Sequence, residues 1–224
     1  MATVRTSPVP DETRSKLMAA AAEVFAEVGY HSATTREICA RAGANVAAVN
    51  YHFGDKLGLY TEMLRSAVLQ GETRMVDPAS AAASPEEALR KFIAGMFRKM
   101  TEGDRPAWYV KVMTHELAQP TPGLAAVVES LIRPNAHILC GIVGKIIDRP
   151  QFHPQTRMCA HSVIGQVVHY IHARPVIGLL WPDWQMSRES QDEIAKHIAN
   201  FSVAALKGIR KQAVAGDVAN GRSK

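Results

Sequence analysis

Apolar positions recur along most of this chain at spacings of three and four, the period of a helix with one buried face. In the first segment Leu17, Ala21, Val24, Phe25 and Val28 form such a stripe; Asp11 is placed to cap it and Gly29 to end it in a left-handed conformation. A short second helix opens at Thr34, with Glu37 at the capping-box spacing, and runs through Ile38 and Ala42 to a stop at Gly43. Asn45 caps a third helix from Val46 to about His52. A fourth starts near Asp55 with Leu57, Tyr60, Leu64 and Ala67 on one side. Asp77-Pro78 and the small residues 79–84 then break the pattern, and Ser84-Pro85-Glu86-Glu87 restarts it as cap, first-position proline and third-position glutamate. Further helices are expected at about 85–101, 106–117, 122–148, 155–173 and 187–212, separated by Pro120 and Pro122, Pro150 and Pro154, and Pro175 and Pro182. Alternating strand-like runs are scarce and no internal repeat is present. The pattern predicts an all-α chain with a boundary between about residues 60 and 80.

Composition narrows this without changing it. With 47% hydrophobic and 21% charged residues over 224 positions, the chain reads as an ordinary globular protein long enough to bury a core. The start, Met1 to Thr13, lacks the apolar run of a secretory signal. The uncharged stretch from Met158 to Ala173 is too short for a spanning helix and carries three histidines, so no membrane partner is expected. Cys39, Cys140 and Cys159 are odd in number and widely spaced, which fits neither a disulfide framework nor a zinc site and points to a reduced, cytoplasmic protein. The formal charge is +5, yet residues 1–60 hold six basic and six acidic groups. Most of the excess lies in the last twenty residues, so net charge by itself does not announce a nucleic-acid partner.

The informative stretch is Thr34 to Lys56, TTREICARAGANVAAVNYHFGDK. Two short helices joined by Ala42-Gly43-Ala44 have the helix-turn-helix arrangement, with Ile38, Ala42 and Val49 packing inward. The outer face of the second presents Val46, Ala47, Ala48, Asn50 and Tyr51. Small side chains allow close approach to base edges, methyl groups suit thymine, and the Asn50 amide can pair with adenine. Thr35, Arg36, Tyr51, His52 and Lys56 are donors of the kind phosphates accept, and the helix starts capped by Thr34 and Asn45 add backbone N–H groups. A short helical pair with a glycine turn also occurs in helical proteins that bind no DNA, and the neutral charge of this region weighs on that side.

The pattern T-T-R-E-I-x-x-x-A-G followed by A-x-x-x-Y-H-F-G-x-K-x-x-L-Y resembles the DNA-binding domain of the TetR/AcrR family of bacterial repressors, from residue 13 to about 65. The resemblance implies a homodimer of nine-helix, Ω-shaped subunits, each placing its third helix in the major groove of a palindromic operator. It implies that Thr35 and Arg36 open the helix bracing the backbone and that Val46, Ala47, Ala48 and Asn50 face the groove. It puts Tyr51, His52 and Lys56 at phosphate-contact positions. Ala47 and Ala48 offer little hydrogen bonding, so shape readout gains weight there. HELAQPTPGL at 115–124, HPQTRMCAHSVIGQ and HYIHARPVI across 153–177 are similar to a smaller group with a CecR-type C-terminal domain, implying a helical effector-binding and dimerisation half.

The expected organisation is therefore a flexible arm over 1–12, a helix-turn-helix domain over 13–60, an effector-binding and dimerisation domain over 61–212, and a non-periodic, disordered tail over 213–224. Pocket candidates are Phe97, Met100, Trp108, Met113, His115, His137, His169 and His172, since methionine and aromatic groups suit an adaptable apolar cavity. Trp108 and Met113 fit an ordinary core at least as well. His161, His169 and His172 lack a carboxylate or cysteine at ligand spacing, so neither a metal nor another cofactor is expected. A dimer seam is read from Val163, Val167 and Tyr170 against Ile194, Ile198, Phe201 and Ala205, giving a two-fold four-helix bundle. The sequence holds no G-x-G-x-x-G, G-x-x-x-x-G-K-[ST] or G-x-S-x-G, which sets an all-helical enzyme behind a regulator with three partners: operator DNA, a second copy and an unidentified small-molecule effector. An activating or ligand-independent regulator stays open.

Overall fold

The computed structural model describes residues 12–70, 82–101, 107–184 and 187–221; the expectations for the N-terminal arm, for Asp77-Pro78 and for residues 79–81 lie outside them. Every regular element among the described residues is helical. In chain order they are α1 (Glu12–Ser32), α2 (Thr35–Ala42), α3 (Val46–Phe53), α4 (Lys56–Gln70), α5 (Pro85–Thr101), α6 (Ala107–Ala118), α7 (Leu124–Val127), a π-helical turn (Val128–Ile132), α8 (Arg133–Ile147), α9 (Pro154–His172), α10 (Arg174–Leu180) and α11 (Arg188–Gly221).

They fall into two compact units. The first contains α1–α4 together with α6 and α7. Leu17, Ala21, Val24 and Phe25 of α1 are buried, as the stripe requires, and meet Ile38 of α2, Val49 of α3, and Leu59, Tyr60, Met63 and Leu64 of α4 in the core. Phe25, Tyr30 and Tyr60 form a three-ring cluster with centroids 4.7–6.0 Å apart. The helix ends follow the capping chemistry: Glu37 N–H donates to Thr34 Oγ1 (3.1 Å), and Ala47 N–H donates to Asn45 Oδ1 (3.0 Å). The turn between α2 and α3 depends on Gly43, whose φ of 64° and ψ of 33° lie in the left-handed region. Outside the core, Arg41 donates twice to the Glu27 carboxylate (2.8 and 2.9 Å), and Arg14 pairs with Glu62 (2.7 Å), tying α2 and α4 to α1.

The compact units do not follow the expected division at residue 60. α4 continues to Gln70, and α6 and α7, expected in the effector half, belong to the first unit because α6 lies along α1 and α7 packs on α4.

The second unit contains α5 and α8–α11. Its core joins Leu89, Phe92, Ile93 and Phe97 of α5 to Leu139, Ile142, Val143 and Ile146 of α8, Val163, Val167 and Ile171 of α9, and Ile194, Ile198 and Leu206 of α11. Glu87 N–H donates to Ser84 Oγ (3.1 Å) and Ala83 N–H to Glu87 Oε2 (2.7 Å), a reciprocal start to α5. Three further expectations change. The single helix at 122–148 is broken by the π turn, just where Pro134 near the start of α8 withholds a backbone N–H. The loop after His172 contains a short extra helix, α10, bent 71° from α9. The disordered tail is corrected over 213–221, where α11 continues to Gly221; residues 222–224 lie outside the described residues. The stretch Leu124–Ile147 is long and apolar enough to cross a membrane, but the turn interrupts it, and Leu139, Ile142, Val143 and Ile146 are core residues of the second unit.

Burial lowers the His172 imidazole below its usual range, so the folded chain takes up that proton less readily than the unfolded one. Its unfavourable contribution is absent above the ordinary histidine value of about 6.5 and grows as pH falls through it. Acidification from pH 7 to 5.5 should therefore lower the melting temperature of the wild type more than that of His172→Gln; equal falls in a thermal-melt series would contradict this.

Candidate nucleic-acid interface

The α2–turn–α3 segment presents its polar groups outward. On α3, Val46, Ala47, Asn50 and Tyr51 share one exposed face at spacings of one, four and five, with Val46 42% and Tyr51 84% exposed. Ala48 and His52 are half-buried, while Val49 points into the core. Tyr51 stands edge-on to His52 with ring centroids 4.8 Å apart, which holds the phenol out from the body of the unit. Thr34, Arg36 and Asn45 are exposed and Thr35 is half-buried. The oxygens of Thr34 and Asn45 are occupied as caps, so toward a ligand these residues offer the Thr34 hydroxyl proton and the Asn45 amide N–H groups. The N-termini of α2 and α3 add backbone donors beside them, a set that suits phosphate oxygens and base edges.

Lys56 differs from its expected placement. Its ammonium donates to the carbonyls of Tyr30 and Ala33 (2.9 Å each) and lies 4.4 Å from the centre of the Tyr30 ring. A group read as a phosphate contact is committed within the unit.

A second feature had no signal in the sequence. Glu116 of α6 is buried, and its carboxylate accepts from Tyr60 Oη of α4 (2.5 Å), from Thr121 Oγ1 (2.6 Å) and from Thr121 N–H (2.9 Å). Burial first, then the Glu116 hydrogen bond, raises the Tyr60 phenol above its ordinary value and keeps it a donor. Beside this network lies a cavity of about 30 Å³ lined by Gly29, Tyr30, His31, Tyr60, His115 and Glu116 among others. Tyr60 and Glu116 are 56 residues apart, and only folding shows that they meet.

The pocket candidates are divided between the two units. Trp108, Met113 and His115 are on α6 in the first unit, and the His115 ring lies against Gly29, its Nδ1 3.1 Å from where a Cβ on that glycine would sit. In the second unit Phe97 is fully buried core and Met100 is half-buried. His137 is exposed against Phe152, His169 is exposed beside Tyr170, and His172 is half-buried. Among the described residues no group of three histidine, cysteine or carboxylate side chains is arranged to hold a metal.

The dimer seam also needs correction. Val163, Val167, Ile194 and Ile198 are 4% exposed or less, packed inside their own subunit and out of reach of a second copy. The buried stripe of α11 runs through 194, 195, 198, 199, 202, 203 and 206, leaving Phe201 (60% exposed) and Ala205 outside it. Tyr170 is half-buried against Trp184.

A helix pair with this turn, these caps and this exposed face has the helix-turn-helix arrangement, and known proteins identify its use. Residues 17–63 match the family described as bacterial regulatory proteins, tetR family, and residues 85–209 match the C-terminal domain of the HTH-type transcriptional dual regulator CecR. The chain belongs to the TetR family of bacterial regulators, with a CecR-type C-terminal domain. It is 27% identical to the HTH-type transcriptional dual regulator CecR of Shigella flexneri over 82% of this chain and 86% of that one. It is 45% identical to the HTH-type transcriptional activator FasR of Mycolicibacterium smegmatis over 58 residues, 26% of each chain. Among solved structures, HlyIIR, a hemolysin II transcriptional regulator, superposes with a TM-score of 0.59 at 18% identity, covering 84% of this chain and 96% of that one. The regulator FadR from Bacillus subtilis, in complex with stearoyl-CoA, gives 0.57 at 17% identity over 84% and 97%. The chain is a DNA-binding transcriptional regulator and not an enzyme.

Proposed function

We propose that the chain is a homodimeric, cytoplasmic repressor that binds a palindromic operator through α3 and is released by a small-molecule effector. The observation that carries the DNA half is the exposed face of Val46, Ala47, Asn50 and Tyr51, with capped helix N-termini beside it. Asn50 reads a base, Tyr51 and Arg36 contact phosphates, and Thr34, Thr35, Asn45, Ala48 and His52 brace the approach. For the second copy, the support is apolar surface that this chain leaves uncovered: Met158 on α9, Phe201 and Ala205 on α11, and Leu179 and Trp181 at and just beyond the end of α10. The effector acts on the half of the chain that carries the CecR-type match, residues 85–209, most of which lie in the second unit. It can shift the operator equilibrium only by the difference between its affinities for the bound and released states.

Two variants separate reading from holding. Tyr51→Ala should weaken binding to every sequence, by about tenfold for a lost phosphate contact at roughly 1.4 kcal/mol. Asn50→Ala should relax preference at one operator position by about 1–3 kcal/mol. Competition binding against a set of single-base operator variants distinguishes them, and an unchanged preferred sequence in Asn50→Ala removes Asn50 from the groove. The repressor reading is tested with the chain's own promoter fused to a reporter, which should rise when the gene is deleted. A fall supports the second reading, activation, which the descriptions of the CecR relative as a dual regulator and FasR as an activator favour.

A further inference from the structure

We infer, resting on the DNA-binding role proposed for α3, that Val46 and Ala47 are specificity-determining residues that read the C5-methyl groups of thymine. The operator half-site then sets thymine within about two base pairs of the adenine held by Asn50. The helix, VAAVNYHF, contains neither arginine nor lysine, so it has no side chain for the bidentate contact that those residues make with guanine. Its first turn is apolar and faces outward. Val46 is 42% exposed and Ala47 is exposed, while the residue turned into the core is Val49. The Ala47 N–H is already given to Asn45 Oδ1 (3.0 Å), so the outward group left at that position is a methyl.

A lone exposed valine is ordinary on a protein surface. Here the apolar spot has a polar edge: the Asn45 amide stands before it, and Asn50 and Tyr51 follow one turn on, four residues from Val46 and Ala47. The spot also occupies the N-terminal turn of the reading helix, the part of a helix-turn-helix that meets base edges. In the major groove those edges carry hydrogen-bonding groups, and the apolar feature among them is the thymine methyl. Val46 and Asn50 are separated by about 6 Å between Cβ atoms, against a rise of about 3.4 Å per base pair, which puts the methyl and amide contacts one or two steps apart.

Replacing thymine by deoxyuridine deletes this methyl and keeps every hydrogen-bonding group of the base. The test titrates the full chain, by fluorescence anisotropy, onto the intergenic duplex upstream of its own gene, prepared with thymine or with deoxyuridine throughout. A random duplex of equal length is prepared both ways beside it. Each lost methyl contact should weaken binding about fourfold, so over two half-sites the wild type should favour the thymine form of the upstream duplex at least about tenfold. The random duplex should show no such preference. Val46→Ala should cut the preference at least about fourfold, and Val46→Ala/Ala47→Gly should nearly abolish it. The ratio compares two DNAs on one chain, so a variant's loss of stability or of general affinity cancels; if the double variant does not bind, Val46→Ala supplies the result. Equal binding of both forms by the wild type overturns the inference. So does a ratio unchanged in the variants, since the methyls would then act through the shape and stiffness of the DNA. Single deoxyuridines place the contacts, and losses found only beyond about two base pairs from the position relaxed by Asn50→Ala overturn the assignment as well. Should the wild type prefer neither the upstream nor the random duplex, the choice of operator fails separately, and the same ratio is read on a duplex selected from a random pool. A pool that yields no preferred sequence removes base reading by α3 and this inference with it.

Discussion

A Gly29→Ala chain melts well below the wild type and binds operator DNA weakly. The α1 backbone breaks at Gly29, where φ is 74° and ψ is 170°. Side chains with a Cβ are almost excluded from that region, and holding one there costs on the order of 1–3 kcal/mol. Space adds to the cost, because the new Cβ would lie 3.1 Å from His115 Nδ1 and 3.3 Å from its Cγ, and the glycine is buried. Relaxing the contact means shifting the His115 ring by a few tenths of an ångström; relaxing the backbone means moving Tyr30 and Ala33, whose carbonyls receive Lys56. Together the terms come to about 3 kcal/mol, enough to unfold a large share of a marginal domain. Gly43→Ala is the control. Its φ of 64° is also positive, but nothing lies within 4 Å of the added Cβ and the conformation is ordinary left-handed helix, so the cost should stay near 1 kcal/mol with binding retained. Thermal melting and fluorescence anisotropy on both variants check the pair, and equal losses would show that the break at Gly29 is not the fixed point described here.

Removing the Glu116 carboxylate is the second large effect. In Glu116→Ala the Tyr60 hydroxyl, the Thr121 hydroxyl and the Thr121 N–H lose their acceptor in a place that water barely reaches. Each buried donor left unpaired costs about 1–3 kcal/mol, so the variant should lose ~3 kcal/mol or more. Glu116→Gln keeps one acceptor oxygen and should lose roughly 1 kcal/mol. Tyr60→Phe takes away only one donor and should resemble the glutamine change. Denaturant melts on the three variants order them, and the account fails if alanine is no worse than glutamine. Because Tyr60 belongs to α4, operator binding should follow the same order.

The helix-turn-helix was legible because its signals are local. Thr34, Asn45 and Gly43 cap and turn the chain within a few residues, and no distant partner is needed to read them. The stripe of α1 and the start of α5 at Ser84 were legible for the same reason. What stayed hidden depends on long-range meetings. Glu116 looked like one more polar residue on α6 until α4 brought Tyr60 to it. Lys56 carries a charge that invites a phosphate, and only the fold shows two carbonyls within its reach. The α11 seam was misread because Ile194 and Ile198 begin a stripe that Phe201 and Ala205 seem to continue by spacing, while burial follows Ala199, Ser202 and Leu206. Spacing names a face, but the neighbouring helices decide where its edge falls.

The most direct test is a mobility-shift titration of the purified chain on the intergenic DNA upstream of its own gene, run at two salt concentrations beside random DNA of equal length. The account predicts a saturable shift at a stoichiometry of two chains per site, much tighter on the upstream DNA and weaker at the higher salt. Equal affinity for the two DNAs, unchanged by Tyr51→Ala, would contradict it.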